Sequence, residues 1–192
     1  MLSIASYFGS SLPGPGDLIA SMLGPAVISF GLQLYLYRSM LINNFVKVLA
    51  TTIFSSIFGL FSSAALARFV GFASFDAALA PLTRCITTPL ALAGSKLTGA
   101  DSSLTALLVV LTGVLGASLS EKILARLEIK DPLSVGLAVG ASSHGIGTAT
   151  LANEPLKFSA SVVSMSLTGL WTVALLSNNA LRNILKIIAK PV

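Results

Sequence analysis

The sequence predicts an all-α, polytopic transmembrane helix bundle with two broken, re-entrant segments arranged as an inverted repeat. Three observations predict it. The chain has 192 residues, of which 54% are hydrophobic and only 10% charged, whereas a soluble domain carries roughly 25% charged residues. Its charges bound four uncharged runs of about the ~20 residues that a ~30 Å hydrocarbon core requires. Two further apolar stretches are interrupted at their middles by Pro, Gly, Ser and Thr.

The same composition excludes other classes. A chain this apolar cannot cover its own surface with polar groups, so a soluble globular enzyme is not expected, and disorder needs far less apolar side chain. Cys85 is the only cysteine and His144 the only histidine, which excludes a disulfide scaffold and a Cys- or His-rich metal centre. No cofactor is expected. Lys plus Arg is 12 and Asp plus Glu is 7, a net charge of +5 that membrane flanks account for. No nucleic-acid-binding module is visible.

Residues 1–16 read as a polar lead. Its first eleven residues are uncharged and carry no Arg, unlike a transit peptide or a complete signal peptide. A transmembrane domain follows over 17–176. The uncharged runs 18–37, 48–67, 102–120 and 158–181 are apolar on all sides rather than on one stripe, the pattern of helices surrounded by lipid or protein. Tyr35, Tyr37 and Trp171 are candidate interfacial anchors, and Gly113 and Gly116 permit close helix contact. Residues 177–192 form a basic tail, in which Arg182, Lys186 and Lys190 alternate with Leu181, Ile184, Leu185 and Ile188. That pattern predicts an amphipathic helix on the membrane surface.

The broken segments are 75–97 and 132–153. The first holds Pro81, Arg84, Thr87, Thr88 and Pro89 at its middle, the second Ser142, Ser143, His144, Gly145, Gly147 and Thr148. Pro removes a helix N–H and clashes with the preceding turn, while Gly beside Ser and Thr loosens the helix. Irregular backbone at membrane depth persists only inside protein or along a wet cavity, and paired interruptions of this kind point to a transporter's binding site. Leu111-Thr112-Gly113 recurs as Leu167-Thr168-Gly169, and the same offset carries Thr87-Thr88-Pro89 onto Ser143-His144-Gly145. Arg38 and Lys47 flank one link and Lys122, Arg126 and Lys130 another, which the positive-inside rule puts on one side. Segment 75–97 must then enter and return from the far side, and by symmetry 132–153 from the near side. Length does not choose between a hairpin and a crossing, since ~23 residues suit one span or two half-depth legs equally.

Several residues in the breaks carry chemistry. Arg84 is a guanidinium between two apolar legs, where a charge costs at least ~2.5–3.5 kcal/mol and marks substrate paths. Its planar fork matches a carboxylate; the structural alternatives are snorkelling to the headgroups or an ion pair with Asp76. Thr87 and Thr88 open the second leg, where helix N–H groups favour an anion and a Thr side chain also serves as an N-cap. His144 can exchange protons near neutral pH, or stand as a satisfied structural residue. Gly140, Gly145 and Gly147 allow close backbone approach.

Several motifs, in order along the chain, resemble the LrgB/CidB membrane family. They are Leu23-Gly24-Pro25-Ala26, Arg84-Cys85-Ile86-Thr87-Thr88-Pro89, Ser103-Leu104-Thr105-Ala106, Leu111-Thr112-Gly113, Asp131-Pro132 and Ser143-His144-Gly145-Ile146-Gly147-Thr148-Ala149. Gly14-Pro15-Gly16-Asp17, Arg84-Cys85-Ile86-Thr87 and Asn153-Glu154-Pro155 look most like the plant and algal branch of plastidal glycolate/glycerate translocators. In that branch an LrgA-like half precedes the LrgB-like half; the expectation from these motifs is a chain of the LrgB-like half without the LrgA-like one.

The resemblance implies a carrier of small 2-hydroxymonocarboxylates, not an enzyme, in the plastid inner envelope, with the bacterial plasma membrane as the alternative. Its alternatives in function are an antiholin-like regulator of murein hydrolases, or a subunit that needs an LrgA-like partner. The expected substrate set is Arg84, Thr87, Thr88, Ser143, His144, Gly145, Gly147 and Thr148. The expected partners are a small carboxylate, the bilayer, an LrgA-like membrane protein and further copies of the chain.

Overall fold

A computed structural model describes residues 17, 18, 21 and 23–190. The expected polar lead at 1–16 lies outside the described residues. All regular elements among the described residues are helices. In order they are α1 (Leu23–Leu36), α2 (Arg38–Asn43), α3 (Phe45–Val70), α4 (Phe75–Leu79), a 3-10 turn (Ala80–Thr83), α5 (Thr88–Thr98), α6 (Ser102–Arg126), α7 (Pro132–Thr150), α8 (Pro155–Ser177) and α9 (Asn179–Ala189).

Three helices, α3, α6 and α8, are long and apolar enough to cross a membrane. They match three of the four expected runs. The fourth expectation, 18–37, is only partly described: α1 covers Leu23–Leu36 of it, and the described residues Asp17, Leu18 and Ser21 before it are helical too. The link expected at 38–47 is itself helical, because the i→i−4 ladder continues through Tyr37 and Asn44.

The long helices differ in what surrounds them. On α6 the buried residues are Thr105, Val109 and Gly113, a single stripe at every fourth position. Leu107, Val110, Leu111, Val114, Leu115 and Leu119 of that helix are exposed. Phe69 on α3 is 90% exposed, and a broad belt of such side chains implies a non-aqueous surround. α8 is the opposite, a central pillar whose Ser161, Ser164, Ser166 and Thr168 are all buried. The Ser161, Ser164 and Ser166 hydroxyls bond to neighbouring helices or to their own preceding turn, as when Ser164 donates to the Leu137 carbonyl at 2.8 Å, while Thr168 Oγ1 has no partner.

The first broken segment folds back on itself. Ser74 caps α4, Pro81 sits in the 3-10 turn, and α5 starts at Thr88 with Pro89 in its first turn. The Asp101 N–H donates to the Asp76 carbonyl at 3.1 Å, so the segment's two ends lie side by side. A Cβ on Gly94 would stand 2.7 Å from Thr83 Cγ2; glycine there lets the second leg pack on the tip of the first.

The second broken segment also reverses. Asp131 caps α7, accepting from the Ser134 N–H at 2.9 Å. The helix is interrupted at His144, whose φ of 41° and ψ of −140° are not helical. Before the break, Gly136 abuts Lys157 and Gly140 abuts Ser161, so this leg runs alongside α8 in the same direction. After it, Gly145 faces Met165 and Thr148 bonds Ser161, so the second leg runs the opposite way. Leu151 closes the fold against Val135, Val139 and Leu124.

The charge-free run 158–181 ends early as a helix. Asn178 accepts from the Ala180 and Leu181 N–H groups and starts α9 instead. α9 is amphipathic, as its sequence predicts. Leu185 and Ala189 pack on Leu60, Leu79 and Leu176 while Ile184 and Ile187 stay exposed.

Candidate functional site

Arg84 follows the 3-10 turn at the tip of the first folded-back segment. Its Nε donates to Ser63 Oγ of α3 at 3.1 Å, which fixes the plane of the guanidinium and leaves the two terminal nitrogens uncommitted. No carboxylate pairs with it among the described residues, whose ion pairs join Lys157 to Glu121 and Glu154. The alternative pairing of Arg84 with Asp76 is therefore not realised.

Arg84 lies on the walls of two cavities. One, of about 380 Å³, lies between α6 and α7 and includes Thr112, Gly116, Ser120, Ser142 and Ser143. The other, of about 340 Å³, lies between α3 and α7 and includes Ser55, Ser62, Cys85, Ala141 and Ser142. Both volumes fall at the small end of ligand pockets (~300–1,000 Å³). Their walls are mostly apolar, with a guanidinium and a row of hydroxyls as the polar part. Ser142 donates to the Ala138 carbonyl at 2.8 Å, and the Ser143 hydroxyl lies 3.1 Å from both Ser142 and Ser120. Arg84 and Ser142 border both cavities, so the tip of one folded-back segment meets the break of the other.

The remaining candidates sit off these walls. His144 is 4% exposed and its Nε2 lies 2.9 Å from the Val109 carbonyl; since a carbonyl only accepts, Nε2 carries the proton. The ring lies flat in the space left by Gly113, where a Cβ would stand 2.6 Å from its Cε1. Gly113 and Gly116 make the close helix contact expected of them, receiving the His144 and Ser143 side chains of α7. Gly147 packs on Ser143 and Val139, whereas Gly145 has ordinary room. Thr148 donates to the His144 carbonyl at 2.7 Å. These contacts build the break rather than face the cavities.

Thr87 is different. It occupies the N-cap position of α5 but makes no capping bond, and its buried Oγ1 has no hydrogen-bond partner. Thr88 beside it is half-buried. A buried hydroxyl without a partner costs about 1–3 kcal/mol and is uncommon in folded proteins.

Sequence reasoning found Arg84 and Ser143 but not Ser63, Ser120 or Thr112, and named Ser142 only as part of the break. Adjacent Ser142-Ser143 was a usable signal, since neighbouring hydroxyls on a helix address different partners. Ser63 and Ser120 gave none, because single serines in long apolar runs usually bond their own preceding turn.

Residues 3–180 match the LrgB-like family. The chain is also 36% identical over 175 residues to Plastidal glycolate/glycerate translocator 1, chloroplastic, of Arabidopsis thaliana. That match covers 90% of this chain and 34% of the relative, so the chain spans about a third of that protein's length. No solved structure matches the chain significantly. From the motifs, the all-helical fold and the matched length together, the chain belongs to the LrgB-like family.

Proposed function

We propose that this protein is a multi-pass membrane carrier, not an enzyme, for small 2-hydroxymonocarboxylates of the glycolate and glycerate type. The observation that carries the reading is the Arg84 guanidinium. It is held by Ser63, has no carboxylate partner, and borders two cavities where the folded-back segments meet. A half-buried cation without a counter-ion between membrane helices is costly, and a substrate carboxylate is the charge that would complete it. The translocator name of the relative supports the same substrate class.

In this reading the two folded-back segments are re-entrant hairpins that enter the bilayer from opposite sides, related as inverted repeats. Lys47, Lys122, Arg126 and Lys130 mark one side, and the α4–α5 ends and α9 the other. Arg84 binds the carboxylate end-on through its terminal nitrogens. Ser142 and Ser143, relayed to Ser120, hydrogen-bond the 2-hydroxyl. Thr87 and Thr88, at the start of α5, add donors and the positive end of a helix dipole. His144, Gly145, Gly147 and Thr148 shape the second break that brings Ser142 and Ser143 to Arg84. By analogy with the relative, the membrane is the plastid inner envelope.

Uptake of labelled glycolate into proteoliposomes, with and without an LrgA-like partner, tests this. A carrier saturates with glycolate and shows counterflow. Ion conductance or leak without saturation would instead mark a pore or an antiholin-like regulator. Activity only with the partner would mark a subunit.

A further inference from the structure

A third cavity, of about 320 Å³, lies at the other end of the same groove. Lys47 and Thr51 of α3 face Ser134 and Ala138 of α7 across it. Ala138 also borders both cavities at Arg84, and it is the one residue common to all three. The groove floor is α7 and its sides are α3 and α6. Along it, polar groups recur from Lys47 through Thr51 and Ser134 to Ser142 and Arg84. Past Arg84 the character changes. Leu60, Leu79, Leu82, Leu176 and Leu185 form a packed apolar cluster with α9 laid across it.

We infer that the substrate reaches Arg84 from the Lys47 end, along a passage that runs past Ala138, while the α9 end is sealed. The inference rests on the carrier reading above and adds to it a direction of access and a residue that sets the bore. Lys47 is exposed at the mouth, where a cation concentrates anions by long-range attraction. The Asp131 carboxylate nearby accepts from the Ser134 N–H and hydroxyl at 2.9 and 2.6 Å, stays ionised and offsets part of the Lys47 field. Ala138 presents only a methyl group between α3 and α6, so a large side chain there fills the space through which cargo passes.

The chain carries its own reporter. Cys85 is the sole cysteine, is partly accessible, and borders the cavity on the α3 side of Arg84. A sulfonate-bearing methanethiosulfonate is small, anionic and membrane-impermeant. The Cys85 thiolate attacks its sulfenyl sulfur, forming a mixed disulfide and releasing methanesulfinate. The full chain in proteoliposomes is labelled from outside or from the lumen. Lys130→Cys in a Cys85→Ser background identifies which face is the Lys47 end.

The expected result is that Cys85 labels from the same face as Lys130→Cys, and that Ala138→Trp slows labelling at least tenfold. Leu107→Trp on the outer face of α6 should leave the rate unchanged. If Ala138→Trp does not fold, Thr51→Trp, across the same passage, gives the same test. Faster labelling from the α9 face than from the Lys47 face, or an unchanged rate in a folded blocked variant, overturns the inference. The passage is read without transport. Labelling from the Lys47 face that glycolate does not slow would support the passage while counting against Arg84 as the carboxylate site.

Discussion

Replacing Arg84 tests the site most directly, because the structure says which of its nitrogens are available. Nε is committed to Ser63 at 3.1 Å, so a carboxylate is offered the two terminal nitrogens. Hydrogen bonds to charged groups contribute about 1.5–3 kcal/mol each, and about 1.4 kcal/mol is tenfold in affinity. Arg84→Lys keeps the charge but cannot hold Ser63 and present a fork at once. It loses one such bond, a rise in glycolate KM of about 10- to 150-fold. Arg84→Gln loses the charge and both bonds, and is expected to weaken binding at least about 100-fold. Arg84→Gln removes a charge from an apolar segment rather than adding one, so Gln should insert at least as well as Arg. A transport loss is then a site effect. The assay is glycolate counterflow at matched protein density, with thermal melting in detergent as the folding control. Wild-type KM in a folded Arg84→Gln protein would refute the reasoning and place the carboxylate elsewhere.

Other perturbations follow from the same geometry. Gly140→Ala places a methyl group on the Ser161 backbone carbonyl, which cannot yield as a side chain does, so a loss of about 1–3 kcal/mol should appear as a lowered Tm in detergent. His144→Gln, at a ring bonded to the Val109 carbonyl and turned from both cavities, should lower stability and leave the pH dependence of uptake intact; a vanished pH dependence would give His144 a proton-coupling role. Asp131 sits below its ordinary value of 3.8, first because the Ser134 hydroxyl donates to it and then because the Ser134 N–H does. A depressed folded value means the carboxylate stabilises above pH 3.8 and ceases to as pH falls through the lowered folded value. The Tm deficit of Asp131→Ala relative to wild type should therefore be complete at neutral pH and shrink toward zero in strong acid.

How far the sequence was legible varied by element. Charge-free length located α3, α6 and α8, since no other arrangement accommodates such runs. It misjudged their ends in both directions. α3 and α6 extend over Lys47, Arg68, Lys122 and Arg126, because long basic side chains tolerate helix ends at a membrane boundary. α8 stops at Ser177, because the Asn178 side chain caps a new helix, and an uncharged run carries no record of a change in direction. The breaks were legible from Pro and Gly, and their reversal of direction follows from contacts distant in sequence, such as Asp76 with Asp101. Arg84 stood out as a lone charge. Its partner Ser63 did not, nor did the orientation of His144, whose ring turns toward Gly113 only because α6 offers a glycine there.

The two breaks differ in how their polar groups are satisfied, and that difference bears on function. An interrupted helix in an apolar surround frees backbone groups that must be bonded again. At the second break this is done from within. Thr148 bonds the His144 carbonyl, Ser161 bonds Thr148, and Ser164 bonds the Leu137 carbonyl on the approaching leg. His144 itself spans to Val109. A strained backbone at φ 41° held by so many internal bonds is a fixed scaffold. The first break is left incomplete. Thr87 Oγ1 is buried without a partner, and Arg84 borders two cavities with no carboxylate paired to it among the described residues. Unmet donors cost stability wherever they stand, and under the proposed function a substrate carboxylate at Arg84 would complete the open break. Filling it should therefore stabilise the protein. Glycolate in excess over its Kd should raise the Tm of the wild type through mass action. It should not raise that of Arg84→Gln, and an equal rise in both would mean that the open donors at the first break are not where the anion sits.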